Sequence, residues 1–239
     1  MSGDTDSTQS ATDTMKAWEI LGETSTLDGR TMQLAKQDTE YLISVDGKTL
    51  MSSRMHGSEE ALATAACQQL REVAGARVLV GGLGMGFTLA ATLKELPADA
   101  TVSVAELVPA VVEWNRGPLG ACAGHPLNDR RVKVVVNDVG FVLRGNRDKF
   151  DAILLDVDNG PDAFTTDANL GLYDNAGVEA CYSALKSDGV LAVWSAWEDR
   201  KFEQRLRFHG FTVRVDRVRA RLKKGGPRHT IFVGVKGAG

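Results

Sequence analysis

The chain has 239 residues, a formal net charge of −3 and 43% hydrophobic residues, which suit one globular core with a small appendage. The weak charge gives no general electrostatic case for binding nucleic acid or a membrane, and no apolar run approaches the roughly 18 residues of a membrane span. Cys67, Cys122 and Cys181 have no metal-ligand spacing. We therefore expect reduced thiols, no metal site and a cytoplasmic protein.

The first part of the chain predicts a tail followed by a small β-region. Residues 1–14 are mostly Ser, Thr and Asp, a composition that predicts disorder. Residues 15–55 carry short alternating runs that are interrupted at Asp28-Gly29 and Asp46-Gly47. These dipeptides are typical of hairpin turns, so we expect antiparallel strands there.

Residues 56–239 are predicted to form one larger domain. Ser58 is a candidate N-cap for an Ala-rich helix that continues to about Val73, and the segment 56–60 either folds over a ligand or simply begins this surface helix. After it, strands alternate with helices, which indicates a doubly wound and mostly parallel sheet. The predicted strands are residues 77–82, 101–107, 132–136, 150–156 and 189–195, followed by a hairpin of residues 211–220 and 229–235 whose connection is too short for a crossover helix.

A glycine-rich loop follows the first strand of this domain. Gly82, Gly84 and Gly86 have the spacing GxGxG. The dinucleotide fingerprint GxGxxG would need glycine where Phe87 stands, so the spacing argues against a nicotinamide dehydrogenase. By itself the loop is also compatible with a tight strand-to-helix turn.

Polar side chains stand at the ends of the next two strands. Glu106, followed by Leu107, lies about 20 residues beyond the loop and can accept hydrogen bonds from both hydroxyls of a ribose. Asn137 and Asp138 follow the third strand and can meet an adenine amino group, although Asp138 fits equally well as the cap of a helix that begins at Val139. Open α/β sheets bind ligands at the carboxyl ends of their strands. The sequence therefore predicts a nucleoside site at this edge.

Two carboxylates at the end of the fourth predicted strand are the candidate catalytic groups. Asp156 ends the strand and Asp158 follows it. Beside a sulfonium they can hold a cationic amine, and one can remove its proton; the alternative is a helix cap or an ion pair with arginine. Tyr173 ends the polar loop that follows, where it either enters the active site or packs at a helix start. Arg228, His229 and Thr230 could face the same site from the last strand.

These motifs resemble the spermidine synthase (polyamine aminopropyltransferase) family over about residues 40–200. Residues 81–86 stand at its GGGDGG-like loop, residues 105–108 at its E-I-D-like segment, and residues 156–161 at its D-S-S-D-P-x-G-P-A loop. The resemblance makes Glu106 the ribose ligand and Asp156 the amine-deprotonating aspartate, and Asp158 approximates the second, amine-binding aspartate.

The chain also departs from that family. Its active-site loop is shorter, and the family's tyrosine-histidine-glutamate stretch becomes Gly57-Ser58-Glu59. The family's glutamines are absent near Leu50-Met51 and near Trp194-Ser195. The residues that shape a polyamine pocket are therefore those that differ most.

The resemblance implies a class I S-adenosylmethionine-dependent transferase fold and transfer of an alkyl group to a small amine. The donor is S-adenosylmethionine or its decarboxylated form. Residues 79–93 hold no basic residue, so a donor carboxylate has no cationic partner there. This slightly favours the decarboxylated donor and aminopropyl transfer, although a backbone amide or a distant residue such as Arg54 could replace that partner. A methyltransferase with an unknown acceptor and a non-catalytic nucleoside-binding homologue stay open, as does a homodimer.

Overall fold

The computed structural model describes residues 17–157, 171–220 and 226–238. The predicted disordered tail lies outside the described residues, and so does Asp158. The strands in the described ranges are β1 (Glu19–Ser25), β2 (Thr31–Gln37), β3 (Glu40–Val45), β4 (Lys48–Ser52), β5 (Arg77–Gly81), β6 (Thr101–Glu106), β7 (Val132–Val136), β8 (Phe150–Leu155), β9 (Leu185–Ser195), β10 (Phe211–Arg219) and β11 (Arg228–Lys236). The helices are α1 (Gly57–Cys67), α2 (Phe87–Glu95), α3 (Pro109–Arg116), α4 (Val139–Arg144), α5 (Asn175–Ala184) and α6 (Arg200–Phe208).

Strands β1 to β4 form an antiparallel sheet in chain order. Asp46 and Gly47 connect β3 to β4 with φ angles of 47° and 73°, the left-handed conformations that a two-residue type I′ turn requires. Gly29 has a φ of 81° in the turn between β1 and β2. The predicted N-terminal hairpins are confirmed. The sheet ends at Ser52, just before the predicted domain division between residues 55 and 56, which itself stays a prediction.

The second sheet has seven strands in the order β10-β11-β9-β8-β5-β6-β7. Strands β5 to β9 pair in parallel, and β11 pairs antiparallel with both β9 and β10. The chain moves outward from β5 in one direction through β6 and β7, and then in the other through β8 and β9. A ligand crevice is expected where the direction reverses, between β5 and β8. The predicted doubly wound sheet with its terminal hairpin is confirmed.

Apolar side chains of the central strands alternate between two cores. Val78 and Leu154 belong to the core that also contains residues of α1, α2 and α3, and Leu79 and Ile153 belong to the core beneath α4, α5 and α6. The first core continues into the N-terminal sheet, for example at Leu34. Helices therefore cover both faces, and the carboxyl edge of the parallel strands is left for a site.

The start and end of the first helix differ from the prediction. The N-cap residue is His56, and the predicted cap Ser58 lies inside the helix. The helix therefore begins two residues earlier than predicted, and its first amide, that of Gly57, donates to the Ala220 carbonyl at 2.9 Å, a tertiary contact. The helix ends at Cys67, and the chain tightens into a 3₁₀ turn before β5, so the predicted end at Val73 is wrong.

The three cysteines lie within the described residues and form no disulfide. Cys67 and Cys181 are buried free thiols, and Cys122 is half-buried and free. None of the helices in the described ranges combines the length and apolarity that crossing a bilayer demands.

Candidate functional site

The glycine loop joins the ends of β5, β6 and β8. The Gly82 amide donates to the Ala105 carbonyl and the Asp156 amide donates to the Gly81 carbonyl, both at 2.9 Å. Gly82 has a φ of 88°, and a Cβ placed there would lie 2.4 Å from the Asp156 carbonyl oxygen. Only glycine permits this close approach of two backbones. The loop and Asp156 are therefore parts of one arrangement.

Glu106 anchors that loop from the end of β6. Its side chain is 8% exposed, and its two carboxylate oxygens accept the amides of Leu83 and Val108 at 2.9 and 2.8 Å. Burial raises the pKa of Glu106, although the surrounding backbone amides of the loop and of Leu107 oppose that rise. Each carboxylate oxygen can accept a further hydrogen bond. The predicted ribose ligand therefore lies beside the glycine loop with acceptor capacity to spare.

Asn115 is a site residue that the sequence analysis missed. It is buried on α3 and donates through Nδ2 to the carbonyls of Gly84 and Val111 at 2.8 and 2.9 Å. From the other side, Met51 of β4 approaches within 3.0 Å of where a Cβ on Gly84 would stand. The loop is thus held between α3 and the N-terminal sheet.

Asn137 and Asp138 lie beyond β7, one strand further along the edge. The Asn137 amide donates to the Glu106 carbonyl at 3.0 Å, so the two strand ends are adjacent. Asp138 caps α4 by accepting the Phe141 amide at 2.8 Å. The capping alternative is confirmed, and the second carboxylate oxygen of Asp138 stays available for a ligand.

Asp156 is a half-buried carboxyl beside the loop. Thr88, in the first turn of α2, donates its hydroxyl to Asp156 Oδ2. Burial raises the pKa of Asp156, and the Thr88 hydrogen bond only partly opposes this. Among the ion pairs of the described residues, none involves Asp156. The sequence analysis did not single out Thr88.

A second carboxyl, Glu59 on α1, faces Asp156. Burial raises the pKa of Glu59, and the negative charge of Asp156 raises it further. Ser58 Oγ donates to Glu59 Oε2 at 2.7 Å, and His229 Nδ1 lies 2.9 Å from Ser58 Oγ. His229 therefore does reach the site from β11, through Ser58.

The segment before α1 covers the beginning of the glycine-loop helix. The rings of His56 and Phe87 stack with centroids 4.4 Å apart and an interplanar angle of 15°. Phe87, which replaces the third glycine of a dinucleotide fingerprint, therefore packs against the segment 56–60. This segment contacts the loop rather than forming only a surface helix start.

Tyr173 is buried, and its hydroxyl donates to the Val157 carbonyl at 3.0 Å. Its ring meets Phe202 edge-on, with centroids 5.8 Å apart. These contacts fit the packing alternative, in which Tyr173 positions the chain just after Asp156; a direct catalytic role stays a prediction. Across the described ranges, His, Cys, Asp and Glu side chains do not gather into a group that could hold a metal ion.

A family comparison matches residues 55–207 to the spermine/spermidine synthase domain. The chain belongs to the spermine/spermidine synthase family. The matched residues include the glycine loop, Glu106 and Asp156, whereas His229 lies beyond them. No curated protein matches the sequence significantly.

Two solved spermidine synthases share the fold of this family member. The enzyme from Thermotoga maritima superposes with a TM-score of 0.72 at 21% identity, covering 92% of this chain and 73% of the other. A spermidine synthase in complex with the transition state analogue AdoDATO gives a TM-score of 0.70, with 21% identity and the same two coverages. At this identity the likeness establishes the architecture.

Proposed function

We propose that the protein is an alkyltransferase that moves an aminopropyl group from decarboxylated S-adenosylmethionine to a small amine. One observation carries the proposal: the half-buried Asp156 lies against the same loop that Glu106 anchors. A family member of this architecture would thus bind the nucleoside and the reacting amine at one edge of the sheet. A spermidine synthase of similar architecture has been solved in complex with the transition state analogue AdoDATO, which supports a transfer reaction of this kind.

The nucleoside half of the proposal uses the ends of β5, β6 and β7. Glu106 accepts the ribose hydroxyls through its remaining lone pairs, while Gly82, Gly84 and Gly86 let the ligand approach the backbone. Val136 and Phe141 flank Asn137 and Asp138 and are 51% and 62% exposed. Apolar side chains exposed beside polar groups suit a flat aromatic base such as adenine.

The choice of donor follows from charge. Glu59 and Asp156 place two carboxyls together, and in the described part of the chain no lysine or arginine forms an ion pair with either. Such a pair attracts cationic amines and repels a carboxylate. The decarboxylated donor carries an amine and no carboxylate, so it suits this site better than S-adenosylmethionine.

The chemistry needs one proton acceptor and accurate positioning. An acceptor amine binds protonated and becomes nucleophilic once Asp156 takes a proton from its nitrogen. The nitrogen then forms a bond to the carbon next to the sulfonium, the carbon–sulfur bond breaks, and its electron pair stays on sulfur. Holding the two reactants in line supplies much of the acceleration. Asp158, where the family resemblance puts an amine ligand, and Tyr173 complete the proposed catalytic set.

Calorimetry with S-adenosylmethionine, its decarboxylated form and methylthioadenosine tests the nucleoside site, and mass spectrometry of reactions with a panel of amines tests the transfer. We expect the decarboxylated donor to bind more tightly than S-adenosylmethionine and to give an aminopropylated amine. Methyl transfer would instead establish the methyltransferase alternative. Binding of none of the three nucleosides would refute the proposal.

Asp156→Asn separates binding from chemistry. We expect the variant to bind nucleoside and to lose turnover by about 100-fold or more, the usual contribution of a general base. Asp216→Asn is the matched control, because Asp216 is partly exposed on β10 and pairs with Arg214. Binding without turnover even in the unmodified protein would establish the non-catalytic alternative.

A further inference from the structure

A hydrogen-bonded chain begins at Glu59, whose carboxyl lies within electrostatic reach of Asp156, and ends at an imidazole. Glu59, Ser58 and His229 are joined by contacts of 2.7 and 2.9 Å, although Ser58 and His229 are 171 positions apart in the sequence. The edge of the sheet brings them together, because β11 lies next to β9. His229 also meets the Trp194 ring edge-on, with centroids 4.6 Å apart, which fixes the plane of the imidazole.

The order carboxyl, hydroxyl, imidazole can exist with two opposite polarities. When Glu59 is ionised, Ser58 donates to it and Nδ1 of His229 must carry the proton that Ser58 accepts. When Glu59 is protonated, it can donate to Ser58, which in turn donates to an unprotonated Nδ1. Conversion of one arrangement into the other moves one proton between Glu59 and His229.

The charged groups around Glu59 favour its role as a proton carrier. Asp156 faces it from the end of β8, and Glu60 adds a second negative charge from α1. Glu60 is itself paired with His56 at 3.1 Å. In the described ranges neither carboxyl has a lysine or arginine partner. Ionisation of both would place two negative charges close together, which costs free energy, so one of them tends to keep a proton.

We propose that Glu59, Ser58 and His229 form a relay that carries the proton taken up by Asp156 out of the active site. This inference rests on the proposed function and adds residues to it. The amine proton passes to Asp156 and from there to Glu59. Glu59 gives a proton to Ser58 Oγ as Ser58 gives its own to His229 Nδ1, and the imidazolium then loses the proton on Nε2 to solvent. Burial lowers the pKa of His229, which favours that last release.

Kinetics of Ser58→Ala and His229→Gln test the relay. Each change interrupts the chain and leaves Asp156 in place, so we expect kcat to fall about tenfold or more, a modest share of a general acid–base contribution. Nucleoside affinity should stay within about twofold. Because a free buffer can replace the missing carrier, imidazole should raise kcat in a His229→Gly variant and leave the unmodified protein unchanged.

The chain contains a second trio of the same residue types that serves as a control. On the far side, Glu179 contacts His209 Nδ1 at 3.0 Å and Ser183 Oγ at 3.4 Å. Ser183→Ala and His209→Gln should keep the unmodified kcat. Relay variants with the kcat of these controls would overturn the proposal. The proposal would also be overturned if the relay variants lost nucleoside affinity to the same extent as kcat and imidazole did not restore kcat. That result would show that these residues have only a structural role.

A titration of His229 by NMR tests the relay without any substrate. If Glu59 is coupled to the imidazole through Ser58, Glu59→Gln should shift the pKa of His229, because the side chain at position 59 can then no longer exchange a proton with the Ser58 hydroxyl that contacts Nδ1. An unchanged titration would overturn the relay even where aminopropyl transfer is observed. Conversely, a coupled titration in a protein that transfers nothing would refute the proposed function and leave the hydrogen-bonded chain intact.

Discussion

Gly82→Ala should damage both the fold and the site, and Gly29→Ala should damage only the fold. The two glycines have nearly the same left-handed backbone, with φ angles of 88° and 81°. A Cβ on Gly29 would meet nothing within 4 Å, whereas a Cβ on Gly82 would lie 2.4 Å from the Asp156 carbonyl oxygen. The pair therefore separates backbone strain from steric overlap.

The expected magnitudes follow from that difference. A left-handed alanine costs about 1–2 kcal/mol of unfolding free energy at either position, and overlap in packed surroundings adds about 1–3 kcal/mol at Gly82. Cβ atoms essentially never approach other atoms closer than 3.0 Å, so the Asp156 backbone must move by at least the missing 0.6 Å. A displacement of about 1 Å at a reacting group lowers turnover by about 100-fold.

Chemical denaturation of both variants gives the two unfolding free energies, and calorimetry with steady-state kinetics gives nucleoside affinity and kcat. We expect Gly29→Ala to retain affinity and kcat at a reduced stability, and Gly82→Ala to lose all three. Equal destabilisation of the two variants, or full turnover in Gly82→Ala, would refute the close approach of the loop to Asp156.

Three further changes test other contacts of the site. Glu106→Gln should weaken nucleoside binding by at least about tenfold, because an amide NH₂ would face a backbone donor and the charge on the ribose ligand would be lost; calorimetry measures this. Asn115→Leu should raise the KM for the nucleoside more than it lowers kcat, since it frees the Gly84 carbonyl; steady-state kinetics would contradict this if KM stayed constant. Burial raises the pKa of Asp156 above its ordinary 3.8, so the folded state holds that proton more tightly than the unfolded state. Stability should therefore fall as the pH rises above about 4, and Asp156→Asn should show a flatter pH dependence in denaturation experiments.

The arrangement of the glycine loop beside Glu106 was predictable because its signals are local. The glycine spacing follows directly from backbone conformations that only glycine adopts easily, and Glu106 has to follow the loop at a distance set by one helix and one strand. The carboxyl ends of parallel strands lie at the same edge of the sheet, because all the strands run in one direction. Local order along the chain therefore determines where these groups stand.

The contacts around Asp156, the proposed catalytic carboxyl, were not predictable in the same way. Thr88 is 68 positions from Asp156, and an isolated threonine in the first turn of a helix carries no motif. Ser58 was interpreted as a cap because serine before an acidic helix start usually is one. The bond from Gly57 to Ala220 overrides that preference, and it depends on the order of the last three strands.

The departure of the chain from its family at residues 57–59 has a structural counterpart at the other end of the sequence. Ser58 stands where the family resemblance puts a histidine, and a serine by itself cannot carry a positive charge. The antiparallel hairpin returns β11 to the edge of β9, and the imidazole of His229 then lies 2.9 Å from the Ser58 hydroxyl. An imidazole from a strand outside the matched region thus contacts the side chain at position 58. If the proposed relay operates, turnover should be more sensitive to substitution of Ser58 than of any other uncharged residue on α1, which steady-state kinetics would measure.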